Sequence, residues 1–292
     1  MRTILAIDGG GVRGILPAIM LAELQRRLDK PVAEYFDLLV GTSTGGILAL
    51  FLALGKPPSA AVDLYRCEAA NIFNPPLLRR FFDWAGLWRP RYAAAGIEGV
   101  LKRQFADKAL GDCRAVSVTT AQIANMSSEI IRSWDWPTMP AWYAGRATSA
   151  APTYFPPTAE GLIDGGVWAN NPTVVSMYLA RELWPGEPYR LLSLGCGKRN
   201  RYALARESQK WGLLHLAPRL PDMLMGAGED FAEEVGRAVL GENYLRIQTD
   251  LEAVDCAMDR CDAPHLQDLV YLGNRAAHEE ASSIVRFLKG AL

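Results

Sequence analysis

Residues 36–54 read FDLLVGTSTGGILALFLAL and contain a predicted strand, a short polar turn and a predicted helix in immediate succession. The strand covers residues 36–41, and the helix after the turn is apolar on all sides, which is typical of a buried helix. The turn has the G-x-S-x-G spacing of a nucleophile elbow, in which a serine is exposed between a strand and a helix. Ser43 is therefore the candidate nucleophile, and Gly41 and Gly45 permit the tight turn.

A glycine-rich loop precedes this turn in the chain. Residues 8–14 read DGGGVRG, directly after an apolar strand predicted at 3–8 and before a helix predicted at 15–28. The N-terminal N–H groups and the positive dipole end of that helix would face the loop and favour an anion or an oxyanion. Arg13 would either neutralise a phosphate or pair with Asp8. The motif residues of this loop are Gly9, Gly10, Gly11, Val12, Arg13 and Gly14.

The same loop also matches the dinucleotide-binding pattern G-x-G-x-x-G. A Rossmann unit needs an acidic residue at the end of its second strand to hold the ribose. In this chain that strand ends in Gly41-Thr42-Ser43, and no Gly-Lys-Ser/Thr follows the loop to make a P-loop. We therefore expect an oxyanion hole at this loop and no cofactor.

The base that would activate Ser43 is not an obvious histidine. The three histidines, His215, His265 and His278, all come late, and only two strands precede the serine, unlike an α/β-hydrolase. Asp164 ends an apolar strand at 161–164 and is followed by Gly165 and Gly166. A partly desolvated carboxylate within hydrogen-bond reach can accept the serine proton. Asp164 is the predicted base, and His265 or His278 is the alternative.

The composition indicates a folded protein rather than a disordered one. Of 292 residues half are apolar and 22% are charged, enough for one large α/β domain. A net charge of −1 gives no attraction to a nucleic acid polymer, and five cysteines without zinc-site spacing predict free thiols and no metal. The apolar N-terminal stretch is too short for a signal peptide, and residues 46–55 are too few to cross a bilayer. We expect a cytoplasmic protein, with peripheral contact to a membrane surface.

The β-α-β-α opening predicts a right-handed crossover and a mainly parallel sheet with helices on both faces. We predict one domain over residues 1–292, with a helical insertion at about 56–112 and a mostly helical part at 200–292. Other predicted strands are 114–122, 128–133, 161–164, 189–195 and 244–248, and other predicted helices are 44–54, 141–150 and 173–183.

Four motifs occur in a fixed order, at residues 8–14, 41–45, 146–155 (RATSAAPTYF) and 164–166. Through them the chain, from about residue 3 to about residue 200, resembles the patatin-like phospholipases. The resemblance implies a three-layer α/β/α sandwich and a Ser-Asp dyad without histidine. It implies a metal-independent lipid acyl hydrolase of the phospholipase A or lysophospholipase type, acting on phospholipids, lysophospholipids or galactolipids. The implied site residues are Ser43 as nucleophile, Asp164 as general base, and the amides of Gly10, Gly11 and Val12 as oxyanion hole.

Other functions stay open at this point. Residues 73–92 mix aromatic side chains with arginines and would form either a lid or membrane-docking surface, or ordinary packing against the sheet. Bacterial relatives can be activated by a cyclic nucleotide, and Lys198-Arg199-Asn200-Arg201 would either receive its phosphates or form a solvated loop. An acyltransferase would use the same acyl-enzyme, and a storage protein would keep the fold without needing the motifs intact.

Overall fold

The computed structural model of the chain describes residues 1–75, 89–198, 209, 212, 215, 220–251 and 254–290. Every predicted strand and helix is present within these ranges, with bounds that differ from the prediction by at most two residues. The strands are β1 (Arg2–Ile7), β2 (Leu38–Thr42), β3 (Val116–Gln122), β4 (Ser127–Arg132), β5 (Leu162–Asp164), β6 (Tyr189–Leu194) and β7 (Tyr244–Ile247).

The helices lie between and after these strands. Short 3-10 turns precede or follow several of them, including Gly11–Gly14 in the glycine-rich loop. The α-helices of the described residues are α1 (Ile15–Arg27), α2 (Thr44–Ala53), α3 (Pro58–Ile72), α4 (Ala94–Phe105), α5 (Ala141–Thr148), α6 (Gly166–Ala169), α7 (Thr173–Leu183), α8 (Leu220–Leu240) and α9 (Ala263–Lys289).

The strands form one mainly parallel sheet in the order β4-β3-β2-β1-β6-β7. Four pairs are parallel: β3 with β2, β2 with β1, β1 with β6, and β6 with β7. Strands β4 and β5 each pair with β3 in the antiparallel sense. This arrangement confirms the predicted sheet. Long connections that contain helices lie between the strands, as parallel pairing requires, since parallel strands need a crossover.

Helices cover both faces of the sheet, as the near-continuous apolar strands require. On β1 the side chains alternate, so that Leu5 and Ile7 join the core under α1, α2 and α9, whereas Ile4 and Ala6 join the core under α7. The three-layer α/β/α sandwich is thus confirmed. The five cysteines carry free thiols, as expected.

The edge of β3 brings the two motif strands together. β2 pairs with the first half of β3 and ends with Thr42 opposite Thr119, whereas β5 pairs with the second half and ends with Asp164 opposite Thr120. Because β2 is parallel to β3 and β5 is antiparallel to it, the carboxyl ends of β2 and β5 point towards each other. They lie beside consecutive residues of β3, Thr119 and Thr120. The residue that follows β2 therefore lies next to the last residue of β5.

Candidate active site

Ser43 lies at a tight turn between β2 and α2. Its backbone has φ 54° and ψ −122°, a conformation that a residue with a side chain seldom adopts and that is found where a structure holds local strain. The Ser43 N–H donates to Thr148 Oγ1 at 2.9 Å, and that hydroxyl donates to the Thr119 carbonyl at 2.7 Å. These bonds fasten the turn to α5 and β3, so the sequence pattern of an elbow is realised.

The glycines around Ser43 are required by close backbone contacts. A Cβ on Gly41 would overlap the Gly45 carbonyl, and one on Gly45 would come 2.5 Å from the Asp8 carbonyl oxygen. Gly165, after the candidate base, would place a Cβ 2.5 Å from Thr119. The small residues of both motifs therefore let the ends of three strands approach one another.

Asp164 lies at the end of β5 with only 4% of its surface exposed. One carboxylate oxygen accepts the Gly166 N–H at 2.7 Å. Burial raises the pKa of Asp164 to about 6, and hydrogen bonding from the Ser43 hydroxyl and from Gly166 N–H opposes that rise. The Ser43 hydroxyl is thus within hydrogen-bond reach of a carboxyl group whose pKa lies closer to neutral pH than that of a free aspartate.

Ser43 and Asp164 border a largely apolar cavity of about 340 Å³. Helices α2, α3 and α4 supply part of its apolar wall, a role that the sequence motifs did not reveal. Residues 149–155, from the predicted motif at 146–155, supply another large part. The buried Tyr65 hydroxyl lies at this wall and hydrogen-bonds Thr44, and burial raises the Tyr65 pKa. Apolar side chains that line the cavity include Ile47, Leu64, Ile72, Phe73, Ile97 and Met225.

The glycine-rich loop lines the same cavity through Gly10 and Gly11. The amides of Gly10 and Gly11 make no hydrogen bond to any described residue, so both are available to a ligand. The Val12 amide differs from the prediction, because it donates to the Met258 carbonyl at 2.8 Å. In this conformation two of the three predicted oxyanion donors are free and the third is occupied.

Asp8 and Arg13 do not pair with each other. Asp8 binds Arg246 of β7 through both carboxylate oxygens, at 2.9 and 2.5 Å, and both side chains are buried. Arg13 donates to the Gly10 and Gly197 carbonyls, each at 3.3 Å. Arg246 therefore holds the start of the glycine loop from β7, and Arg13 joins the loop to the segment after β6. Neither the Arg246 pair nor the contact from Met258 had a signal in the sequence, since no local pattern marks them.

The histidines lie away from this site. His265 is buried at the start of α9, where its backbone N–H donates to the Asp262 carboxylate, and His278 is exposed on the same helix. His215 is exposed, and the part of the cavity wall that the structure describes includes no histidine.

Two predicted surface features fall largely outside the described residues. Of residues 73–92, those at 76–88 are not described, whereas Phe73 and Tyr92 pack edge to face at 5.4 Å. In the basic run, Lys198 forms an ion pair with Asp230, and residues 199–201 are not described. In the described portion of the chain we find no helix with the length and apolar character of a membrane span.

The fold and this site define an α/β protein with a strand-turn-helix serine facing an aspartate. The sequence model of the family described as Patatin-like phospholipase matches residues 5–176. Patatin-like protein 1 of Oryza sativa subsp. indica is 32% identical over 97% of this chain and 82% of its own length. The chain belongs to the patatin-like phospholipase family.

Two further comparisons extend this result. A cGAMP-activated phospholipase of Pseudomonas aeruginosa is 29% identical over 94% of this chain and 87% of its own. Among solved structures, VipD from Legionella pneumophila superposes with a TM-score of 0.50 at 14% identity, covering 97% of this chain and 67% of VipD. That likeness concerns the fold. The curated relatives align well beyond residue 200, further than the motifs alone reached.

Proposed function

We propose that this chain hydrolyses fatty acyl esters of phospholipids or lysophospholipids through an acyl-enzyme on Ser43, with Asp164 as general base. The observation that carries the proposal is the buried Asp164 carboxyl beside the Ser43 hydroxyl at the wall of an apolar cavity. Such a cavity suits an acyl chain, with a few polar groups at one end to orient the ester. Membership of the family supports the same class of substrate.

In the first half of the reaction, the Ser43 oxygen attacks the ester carbonyl carbon and its proton passes to Asp164. The free amides of Gly10 and Gly11 stabilise the negative charge on the carbonyl oxygen. The bond to the leaving alcohol then breaks, and the alcohol takes the proton from Asp164. In the second half, water attacks the acyl carbonyl and gives a proton to Asp164, the fatty acid leaves, and the proton returns to Ser43.

The decisive experiment is fatty-acid release from mixed phospholipid vesicles by the wild type and by Ser43→Ala and Asp164→Asn. We expect both variants to fold and to lose about 10³-fold or more of the rate, because each removes one half of the reacting pair. His278→Ala serves as the control and should keep wild-type activity. If Asp164→Asn kept most of the rate while a histidine variant lost it, the assignment of the base would be wrong.

A nucleotide-activated form of this activity is the second candidate. The occupied Val12 amide favours it, since a resting enzyme with an incomplete oxyanion hole would gain from a change at Met258. The likeness to the cGAMP-activated phospholipase points the same way. The test is hydrolysis with and without cGAMP: at least tenfold stimulation supports activation, and an equal rate without nucleotide contradicts it.

A further inference from the structure

Asn170, at the end of α6, holds the glycine-rich loop by its first glycine. The Asn170 carbonyl accepts the Gly9 N–H at 3.1 Å, and the Asn170 Nδ2 donates to the Gly9 carbonyl at 3.3 Å. Both polar groups of Gly9 are therefore bound by one residue. Since Asn170 follows Asp164 by six positions, these bonds join the segment of the candidate base to the segment of the oxyanion donors.

The same side chain borders the reacting pair. A Cβ on Gly9 would lie 3.2 Å from Ser43 Cβ and would overlap Asn170 Oδ1. A Cβ on Gly166 would lie 3.0 Å from Asn170 Oδ1 and 3.1 Å from Asp164 Oδ1. The two oxygens thus face the same side of Gly166, and both residues line the cavity.

Glu229 of α8 determines which way the Asn170 amide faces. Its Oε1 accepts the Asn170 Nδ2 at 2.5 Å. An ionised carboxylate only accepts hydrogen bonds, so it holds the NH₂ group towards itself and towards the Gly9 carbonyl. The amide oxygen is then turned towards Gly166. A reversed amide would lose the bond to Gly9 and direct an N–H at the Asp164 carboxyl, which would make Asp164 a weaker base.

Charged groups from several elements surround Glu229. Asp8 directly after β1, Arg13 in the glycine loop and Arg246 on β7 act on its carboxyl, and Glu233 on its own helix lies 3.7 Å from Arg246. Burial and the Asp8 charge raise the pKa of Glu229 to about 7, while Arg246, the Asn170 bond and Arg13 oppose the rise. Glu229 therefore changes charge in the range where the proposed enzyme would work.

We propose that Glu229 is a positioning residue: ionised, it fixes the Asn170 amide and thereby sets the glycine loop against the Ser43–Asp164 pair. This inference rests on the proposed function. It adds helix α8 to the site, although α8 lies outside the residues that the family model matches. Glu229 acts through Asn170 and does not touch the reacting atoms. It accordingly affects the rate of bond cleavage more than the binding of the ester.

The test uses the full chain and a soluble p-nitrophenyl ester, with kcat and KM measured from pH 5 to 8. Glu229→Gln should lower kcat by about tenfold, because the loss of one charge-assisted hydrogen bond changes an activation barrier by roughly that factor. KM should change less than twofold. Glu234→Gln, an exposed neighbour on α8, is the matched control and should match the wild type.

The pH profile separates a positioning role from a merely structural one. In the wild type, kcat/KM should fall on the acid side with two ionisations, near pH 7 for Glu229 and near pH 6 for Asp164. Glu229→Gln should retain only the lower one. A single ionisation in the wild type, or a Glu229→Gln profile that matches it, would overturn the inference even if the variant folds poorly.

The failure of this inference is distinguishable from the failure of the proposed function. If the wild type is active and Ser43→Ala is inactive while Glu229→Gln behaves like the wild type, only the role of Glu229 is lost. If Ser43→Ala keeps the esterase activity, the proposed function fails and this inference fails with it.

Discussion

Among single residues, Asp164 shows a conflict between the stability of the fold and the catalytic role proposed for it. Its pKa rises to about 6 because burial removes water from the ionised form, and the bonds from Ser43 and Gly166 only partly offset that loss. A carboxyl group with a raised pKa binds its proton more tightly in the folded chain than in the unfolded one. Stability from the protonated form is complete below about pH 4 and is lost as pH rises through 6. The ionised Asp164 carboxylate therefore destabilises the fold at neutral pH.

We predict that Asp164→Asn, while inactive, is more stable than the wild type at pH 7.5. The neutral amide still offers an oxygen to the Gly166 N–H, and removal of the buried charge should add about 2–3 kcal/mol to the free energy of unfolding. The difference should disappear near pH 4, where the wild-type carboxyl is protonated. Thermal unfolding from pH 4 to 8 measures this, with exposed Asp107→Asn as control. A gain that is the same at every pH would refute the explanation.

The residues of the site differ in how far the sequence predicts them. Ser43 and Asp164 stand in glycine-flanked turns after apolar strands, so a local pattern marks each one. Arg246 gives no such signal, because its partner Asp8 is 238 positions away and a single arginine in a short strand resembles a solvent-exposed side chain. Glu229 resembles any acidic residue on a surface helix. Only the three-dimensional structure brings these last two residues to the glycine loop.

At the scale of elements, the packing of α2 on the end of β1 determines where Ser43 lies. Gly45, in the first turn of α2, faces the Ile7 and Asp8 carbonyls without room for a side chain. Backbone atoms cannot move aside as a flexible side chain can. Any group larger than hydrogen at this position must push the helix, and Ser43 with it, away from the glycine loop.

We predict that Gly45→Ala lowers the free energy of unfolding by about 1–3 kcal/mol, the range of overpacked cores, and reduces esterase activity at least tenfold. Gly228→Ala is the matched control, since Gly228 lies in the exposed part of α8 with nothing within 4 Å of a new Cβ. That variant should gain roughly 0.5–1 kcal/mol from helix propensity. Chemical denaturation and the ester assay measure both. Equal stability of the two variants would contradict the assigned contact.

The sequence predicts the meeting of β2 and β5 only in part. The apolar runs predict both strands, and the rule that ligands bind at the carboxyl ends of parallel strands predicts that Ser43 and Asp164 share an edge. The structure brings them together differently, since β5 is antiparallel to β3 and approaches β2 end to end. A three-residue strand carries no sequence signal for its direction, so its pairing could not be foreseen.

In the complete molecule, the C-terminal third contacts both the glycine-rich loop and residues 91–92. Arg246 binds Asp8, the Met258 carbonyl binds the Val12 amide, and Asp259 binds both Arg91 and Tyr92. Helix α9 packs along α1 so closely that a Cβ on Gly273 would lie 2.9 Å from Ile19. These contacts favour the predicted single domain over residues 1–292, because nearly all of the buried apolar residues that the structure describes between 220 and 290 belong to the cores on the two faces of the sheet.

The Arg246–Asp8 pair offers a direct test of that single-domain prediction. Arg246→Met would leave the Asp8 carboxylate buried without its partner, and removal of one partner from a buried pair costs about 3–5 kcal/mol. Because Asp8 begins the glycine loop and Arg246 lies in the last strand, the loss should lower one common unfolding transition in calorimetry, tryptophan fluorescence and esterase activity alike. The double variant Asp8→Asn with Arg246→Met should recover part of the loss, since no buried charge then remains. Two separate transitions, with only one of them shifted by Arg246→Met, would instead indicate that the C-terminal third unfolds on its own.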